Sequence, residues 1–308
     1  MKGLEAIRVV GLGQACVDYL GPVPRYPRED EKIELLELHR QCGGPASTAL
    51  ATLSRLGVQT AFLGSVSDDA FGREILAALQ REKIEWRFLK VTPGYTSQFA
   101  FIAISRPGGK RTIFWHRGSV PHLRSQDVDL SPFIRSHILH IDGLMVEASI
   151  EAARQAKALG LTVVMDGGTM REGTRELFSL IDVLIASERF AEPLVKPDDP
   201  PEKSLHALRA LGPPTVIVTL GPAGSLGQSG DGGTAFQKAF PVEAADTTGA
   251  GDVYHGAYIY GMLEGWGMAQ CMRFAAAASA LKCQAIGARR GIPRLEEINA
   301  LMANHPEI

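Results

Sequence analysis

Cysteine is scarce. The 308-residue chain has four, Cys16, Cys42, Cys271 and Cys283. No two form a C-x-x-C pair, so a zinc ribbon or a thioredoxin-type redox site has no support. Four are too few to staple a chain of this length as a disulfide scaffold. Reduced, partly buried thiols in a cytoplasmic protein are expected. A surplus of one charge is also lacking. The 32 Lys and Arg against 34 Asp and Glu leave a formal charge of −2, with no basic excess of the kind that binds nucleic acid. No stretch of about 18 apolar residues offers a membrane span. Met1-Lys2-Gly3-Leu4-Glu5-Ala6 leads straight into a strand-like run, so no signal peptide is expected. The G-x-x-x-x-G-K-[ST] pattern is absent, which excludes a P-loop enzyme. Repeats and low-complexity linkers are absent as well. Hydrophobic residues at 45% and charged residues at 21% are ordinary for a soluble globular protein and argue against disorder.

The first apolar run, Ile7 to Gly13, is short, β-branched and ended by glycine, as a buried strand would be. Residues 46–57 have helical spacing and stop at Gly57, a good C-cap. Thr60 to Val66 reads as a strand and 71–82 as an amphipathic helix. The period then changes. Ser97 to Ser105 and Arg111 to His116 read as strands joined by Arg106-Pro107-Gly108-Gly109-Lys110, and Lys32 to His39 reads as a third. These pieces interrupt the alternation and are expected to form a small projecting sheet.

Beyond residue 136 the alternation is regular. Strands are expected at 137–141, 162–165, 181–185 and 215–220, with helices at 147–159, 202–211, 251–265 and 268–283. Lys196 to Glu202 reads as a surface loop, and 222–241 is expected to hold a hairpin. Such alternation implies an α/β fold, a mostly parallel sheet covered on both faces. Ligands bind such sheets beyond the carboxyl ends of the strands.

Asp246-Thr247-Thr248-Gly249-Ala250-Gly251-Asp252 opens a helix. Its glycines and alanine leave backbone N–H groups uncovered at a helix N-terminus, which attracts anions such as phosphate. Asp252 could simply cap that helix. Capping alone, however, needs neither the flanking glycines nor Asp246 and the paired threonines. A carboxylate beside a phosphate site could accept the proton of an attacking hydroxyl. The helix field should keep Asp252 ionised and weakly basic, which is adequate when the proton leaves late.

Asp246 to Asp252 resembles the carboxyl-terminal signature, D-T-x-G-A-G-D, of the ribokinase-like (PfkB) carbohydrate kinases. Gly43-Gly44-Pro45-Ala46-Ser47-Thr48-Ala49, then Leu56-Gly57 and Gly64 to Gly72, resemble the amino-terminal one. Order and spacing agree from about Gly11 to Pro293. The resemblance implies one three-layer domain over 1–308, with a β-sheet lid from about 16–42 and 95–118. It implies a phosphotransferase using ATP and Mg²⁺, with Asp252 as base and Gly249, Ala250 and Gly251 as anion hole. Asp18, Gly43 and Gly44 would meet the sugar. The family usually has asparagine where this chain has Thr48. Asp142 matches an acidic position facing substrate and metal, though a strand-end carboxylate is an equal reading. Thr219, Gly221 and Gly224 would line the nucleotide site. Ser187 replaces the usual asparagine of an N-x-x-E pattern and Phe190 its glutamate, leaving Glu188 to order a magnesium-bound water. Asp246 and Thr248 match positions that hold a monovalent cation such as K⁺ in some members.

For the substrate, the resemblance extends to ketohexokinase-like and bacterial fructose or sulfofructose kinases. An anionic sugar would need cationic partners, for which Lys32 and Arg111 are candidates near the lid. Both also fit solvated strand charges, so a neutral ketose or related sugar is expected, with nucleoside and sulfosugar kinases as alternatives. Trp115 and His116 could contact substrate, with aromatic packing as the default. A homodimer through the lid is expected, because sheet edges tend to be paired. Gly11-Leu12-Gly13 begins like a dinucleotide fingerprint but lacks the third glycine, so a dehydrogenase is unlikely. His137 and His140, three apart on a strand, point to opposite faces and should not share a metal. A non-catalytic sugar-binding regulator is the reading from another class. Binding alone would not need Asp252.

Overall fold

The computed structural model describes residues 6–308. The expectation for the first residues, Met1 to Glu5, lies outside them. In chain order the first half contains β1 (Val9–Leu12), β2 (Cys16–Val23), β3 (His39–Gly43), α1 (Pro45–Arg55), β4 (Thr60–Leu63), β5 (Ser65–Val66), α2 (Ala70–Arg81), β6 (Lys90–Val91), β7 (Phe99–Ser105) and β8 (Lys110–His116). The second half contains β9 (Ile138–Ile141), α3 (Val146–Ala158), β10 (Thr162–Gly167), α4 (Thr174–Leu177), β11 (Val183–Ser187), α5 (Glu188–Ala191), α6 (Pro201–Arg209), β12 (Thr215–Thr219), β13 (Ser225–Gln228), β14 (Thr234–Gln237), α7 (Ala250–Leu263), α8 (Met268–Lys282) and α9 (Leu295–Asn304).

The main sheet has the order β14-β13-β12-β11-β10-β9-β1-β4. Its strands from β12 to β4 are parallel, and β13 and β14 run antiparallel as a hairpin. β1 lies between β4 and β9, so the chain winds outward in both directions from it. The crevice beyond the carboxyl ends of β1 and β9 is therefore a topological switch point. Side chains alternate across the sheet. Val9 joins a core built with α1, α2, α7, α8 and α9, and Val10 joins one built with α3 and α6.

A second sheet, β3-β2-β7-β8, stands on this frame. Val17 pairs with Phe99 in parallel and Cys16 with Gly43 antiparallel. β7 and β8 form a hairpin pairing Ser105 with Lys110. Its turn needs positive φ at Gly108 and Gly109, 80° and 61°. Ile113, Phe114 and Trp115 are exposed on edge strand β8.

Two expectations need correction. Lys32 to His39 is not a strand. Leu36 donates one N–H to Pro22 O, but ladder pairing starts only at His39, opposite Leu20. Thr60 to Val66 is two strands, interrupted at Gly64.

The helix that carries Asp252 is the most enclosed. α7 is buried on nearly every side, between α1 and α8. It therefore shows no amphipathic stripe. Close approach to α1 depends on Gly256, where a Cβ would lie 2.5 Å from Ala49 O and 2.7 Å from Thr52 Cβ. Gly256→Ala is expected to lower stability by about 1–3 kcal/mol through overpacking, measured by urea unfolding. A loss under roughly 0.5 kcal/mol, the surface range, would show the contact to be slack.

Candidate active site

Gly249, at φ 77°, is the N-cap of α7, and it makes no side-chain cap. Asp252 is thus the third residue of the helix and not its cap, because the left-handed turn at Gly249 starts the helix three residues earlier. Of the first-turn donors, Ala250 N–H reaches Thr247 O at 3.3 Å and Val253 N–H reaches Gly249 O at 2.9 Å. Gly251 and Asp252 N–H have no main-chain acceptor among the described residues. Gly249 is confined, since a Cβ there would lie 2.6 Å from that of Ala288. A Cβ on Gly251 would meet nothing within 4 Å. Packing does not require glycine there. Its missing side chain leaves open space in front of free amides, as an anion cradle requires.

Burial pushes the Asp252 carboxyl up to about 6, with Asp166 and Asp18 raising it further and His255 and Arg111 opposing. The sequence led us to expect a weakly basic, helix-stabilised carboxylate. Desolvation and two neighbouring carboxylates reverse that, and bring Asp252 nearer to neutrality, where a base works best. Asp166 ends β10, and its own carboxyl is raised by burial. His255 lies one turn beyond Gly251. Its Nδ1 is 2.6 Å from Gly251 O, its Nε2 is 3.1 Å from Ile185 O and 3.6 Å from Asp166 Oδ1. This ring ties the first turn of α7 to β11. Sequence reasoning missed both Asp166 and His255. His140 is fully buried with its ring 5.8 Å from that of His255, whereas His137 is exposed on the opposite face.

The approach to α7 is fixed by Asp246. Its Oδ1 accepts Thr248 N–H at 2.8 Å and the Thr248 hydroxyl at 2.7 Å, and its Oδ2 accepts Gly287 N–H at 2.7 Å. The fully buried Lys282 donates from Nζ to Asp246 O at 2.8 Å. The carboxylate is occupied by donors, and the adjoining carbonyl by an ammonium. A monovalent cation at Asp246 and Thr248 would have to share or displace these donors. The second sheet reaches the same segment. Gly109 O accepts Thr247 N–H and the Thr247 hydroxyl, both at 3.2 Å, and Arg111 Nη1 donates to Thr247 Oγ1 at 3.0 Å. Arg111 therefore stands at the segment leading into α7, while Lys32 is exposed in a loop.

Asp18 lies on β2, buried, and accepts the Cys16 thiol at 3.0 Å. Burial raises its carboxyl to about 6, opposed by Cys16 and Arg289. Gly43 faces it, for a Cβ there would lie 2.0 Å from Asp18 Oδ2. Gly44 takes φ 100° against Gln14 O. Arg289 braces this turn, with Nη2 donating to Ser47 Oγ at 2.8 Å and its N–H to Gln41 Oε1 at 3.2 Å. It too escaped the sequence reading. Thr48 is buried in the first turn of α1, and its hydroxyl has no partner among the described residues. Asp142 follows β9. Its Oδ2 accepts Gln14 N–H at 2.7 Å and its Oδ1 Leu144 N–H at 3.1 Å. That carboxylate staples the ends of β1 and β9 together, and burial raises it to about 7.

Ser187 and Thr219 are paired neighbours at the ends of β11 and β12. The loop beyond is tight, with Leu220 N–H on Gly224 O at 2.8 Å and positive φ at Gly221 and Gly224. Glu188 is exposed at the start of α5, whereas Phe190 is buried against Phe178. Among the described residues no group of three or more His, Cys, Asp or Glu could hold a metal. Magnesium taken up with a nucleotide needs only one or two carboxylates plus phosphate oxygens, and Asp166, Asp252 and Glu188 are within that chemistry. Trp115 is exposed on β8, and His116 stacks on Phe99 at 5.2 Å.

A carboxylate with a raised pKa thus lies beside free amides at the carboxyl ends of β10 and β11 in a mostly parallel sheet. Residues 6–295 match the pfkB family carbohydrate kinase model, and the chain belongs to that family. It is a sugar kinase, a phosphotransferase with a hydroxyl acceptor. The chain is 28% identical to a ribokinase of Haemophilus influenzae, over 93% of this chain and 95% of the relative. It is 25% identical to a 5-dehydro-2-deoxygluconokinase of Clostridium perfringens, over 97% and 94%. The structure of Arabidopsis thaliana ribokinase complexed with ribose and ATP superposes with a TM-score of 0.81 at 26% identity, covering 96% of this chain and 99% of that one.

Gly251→Ala separates packing from chemistry. Because its Cβ would meet no protein atom, the melting temperature should hold or rise, as alanine favours the helix. Turnover should fall at least about tenfold, the scale of one displaced transition-state donor or more. An unimpaired enzyme would remove the space in front of Gly251 from the phosphate path.

Proposed function

We propose that the protein is an ATP- and magnesium-dependent kinase that transfers the γ-phosphoryl group to a primary hydroxyl of a small sugar, a ketose or a related sugar. The observation that carries this reading is the pairing of unoccupied amides at Gly251 and Asp252 with a carboxyl raised to about 6 on the same turn. Asp18 and the Gly43-Gly44 turn would orient the sugar, and Thr48 offers a free buried hydroxyl beside them. Asp252 would accept the proton as the hydroxyl attacks. The amides of α7 and the Arg111 guanidinium would face the charge on the transferring group. Thr219, Gly221, Gly224 and Ser187 would line the nucleotide. Magnesium, when bound with the nucleotide, neutralises phosphate charge, and Glu188 would hold it through water. Lys282 Nζ already sits on Asp246 O, where a K⁺ ion would compete with it.

The second sheet would act as the lid. Its hairpin tip at Gly109 touches Thr247, which places it to exclude water and limit ATP hydrolysis. A sugar-binding regulator would have no use for the buried charge cluster around Asp252. A dehydrogenase is disfavoured because β1 is followed by β2 and no helix opens there. No described helix is long and apolar enough to cross a membrane. A cytoplasmic location belongs to the proposal, as does a homodimer through the apolar edge at Ile113, Phe114 and Trp115. A monomeric mass by sedimentation would remove the dimer.

ADP release measured against a sugar panel tests the kinase directly. Asp252→Asn should lower kcat by about 10²-fold or more with substrate binding nearly unchanged, on the scale of general-base catalysis. The pH profile follows from the sign of the shift. A base works only when ionised, so activity should be full above the raised pKa and fall as pH drops through about 6. Asp18 titrates in the same window, which should steepen the limb. A flat profile from pH 5 to 8 (roughly the span in which such a group ionises) would contradict the role given to Asp252.

A further inference from the structure

One cationic cluster lies outside the residues assigned to transfer. Arg117, His122 and Arg124 line a cavity of about 390 Å³, together with Leu123, Met145 and Glu147. A narrower cavity shares Arg117, His122 and Met145 and continues to Gly13, Gln14 and Gln98. The cluster therefore opens onto the carboxyl end of β1, inside the switch-point crevice. No hydrogen bond or ion pair engages the Arg117, His122 or Arg171 side chains among the described residues. Burial, then Arg117 and Arg171, hold the His122 imidazole below its ordinary range, so both guanidinium fields converge on it. The acid of the cavity is already engaged, since Glu147 Oε1 accepts Ser125 N–H at 3.1 Å and the Ser125 hydroxyl at 3.0 Å. Like charges gathered in a cleft without partners focus the field and draw in ligands of the opposite sign.

The sheet order fixes which end of the substrate would meet this cluster. Asp166, in the field of Asp252, ends β10, while Gly13 and Gln14 follow β1. Those strands are two apart in the sheet, or roughly 10 Å at normal spacing. An extended six-carbon chain with its terminal oxygens spans about 9 Å, from bonds of ~1.5 Å. A sugar with one end at Asp252 would thus bring its other end to the mouth of the cavity. Between them, Gln98 Nε2 donates to Gln14 Oε1 at 3.0 Å, a polar wall suited to hydroxyls.

We propose that the substrate is an acidic sugar, carrying a carboxylate, phosphate or sulfonate at the end remote from the phosphorylated hydroxyl, received by Arg117 with His122 and Arg124. This rests on the kinase reading above. Neither Lys32 nor Arg111, the cations singled out from sequence, lines this cavity.

The test is ADP release with fructose against fructose 6-phosphate, 6-deoxy-6-sulfofructose and 5-dehydro-2-deoxygluconate, which separate the phosphate, sulfonate and carboxylate forms. At least one acidic sugar should exceed fructose in kcat/KM by about 10²-fold, the worth of one or two charged hydrogen bonds. In Arg117→Gln that preference should shrink about 10- to 100-fold, with the loss carried by KM. Arg124→Gln provides an independent second variant. Turnover of fructose in preference to every acidic sugar would overturn this inference and leave the kinase reading intact. An unchanged preference in both variants would do the same. No turnover of any sugar would overturn both.

Discussion

The site depends on one main-chain constraint: the first turn of α7 must present its amides to open space while the rest of the helix is enclosed. A helix start always leaves N–H groups without intrahelical partners. Here Gly249 turns the chain in without a side-chain cap, and Gly251 leaves the ground before those donors clear. The carboxylate on the same turn then sits where desolvation and like charge raise it. The amides therefore suit incoming negative charge and the carboxylate suits an incoming proton, on adjacent atoms of one rigid element.

Rigidity comes from three directions. α1 and α8 grip α7 along its length, and His255 ties its first turn to β11. Asp246, held by Thr248, Gly287 and Lys282, sets the path of the chain into that turn. Gly109 and Arg111 bring the second sheet onto Thr247. The last contact is made by an exposed hairpin. Its Arg111 contact is open to solvent. The buried charges around Asp252 are mutually compensating. Asp166 and Asp18 raise its carboxyl, while His255 and Arg111 lower it. Such arrangements carry pKa values away from their ordinary range and cluster where chemistry is done.

Much of this was legible in the residues. The short β-branched runs and the glycine-ended helices located β1, α1, β9 and α3 closely, because period and caps are local properties. The motif around Asp252 was legible because a helix start with uncovered amides needs glycine at fixed spacing. The limits of sequence were physical as well. Lys32 to His39 has a strand-like composition but finds no neighbour to pair with until His39. Asp166, His255 and Arg289 carry no local signature. They matter through contacts with residues distant in the chain. Arg111 read equally as a lid cation or a solvated strand charge, and only the hairpin geometry brings it to Thr247.

By itself the sequence determined the alternating α/β order and the glycine-bearing start of the helix that carries Asp252. These follow from composition and from interactions within a few residues. Only the tertiary structure decided the basicity of Asp252, the filling of the Asp246 region by Lys282, and the gathering of Arg117, His122 and Arg124 on one side of the crevice. Each of those depends on desolvation or on charges brought together from separate strands and loops, and neither quantity exists until the chain has folded.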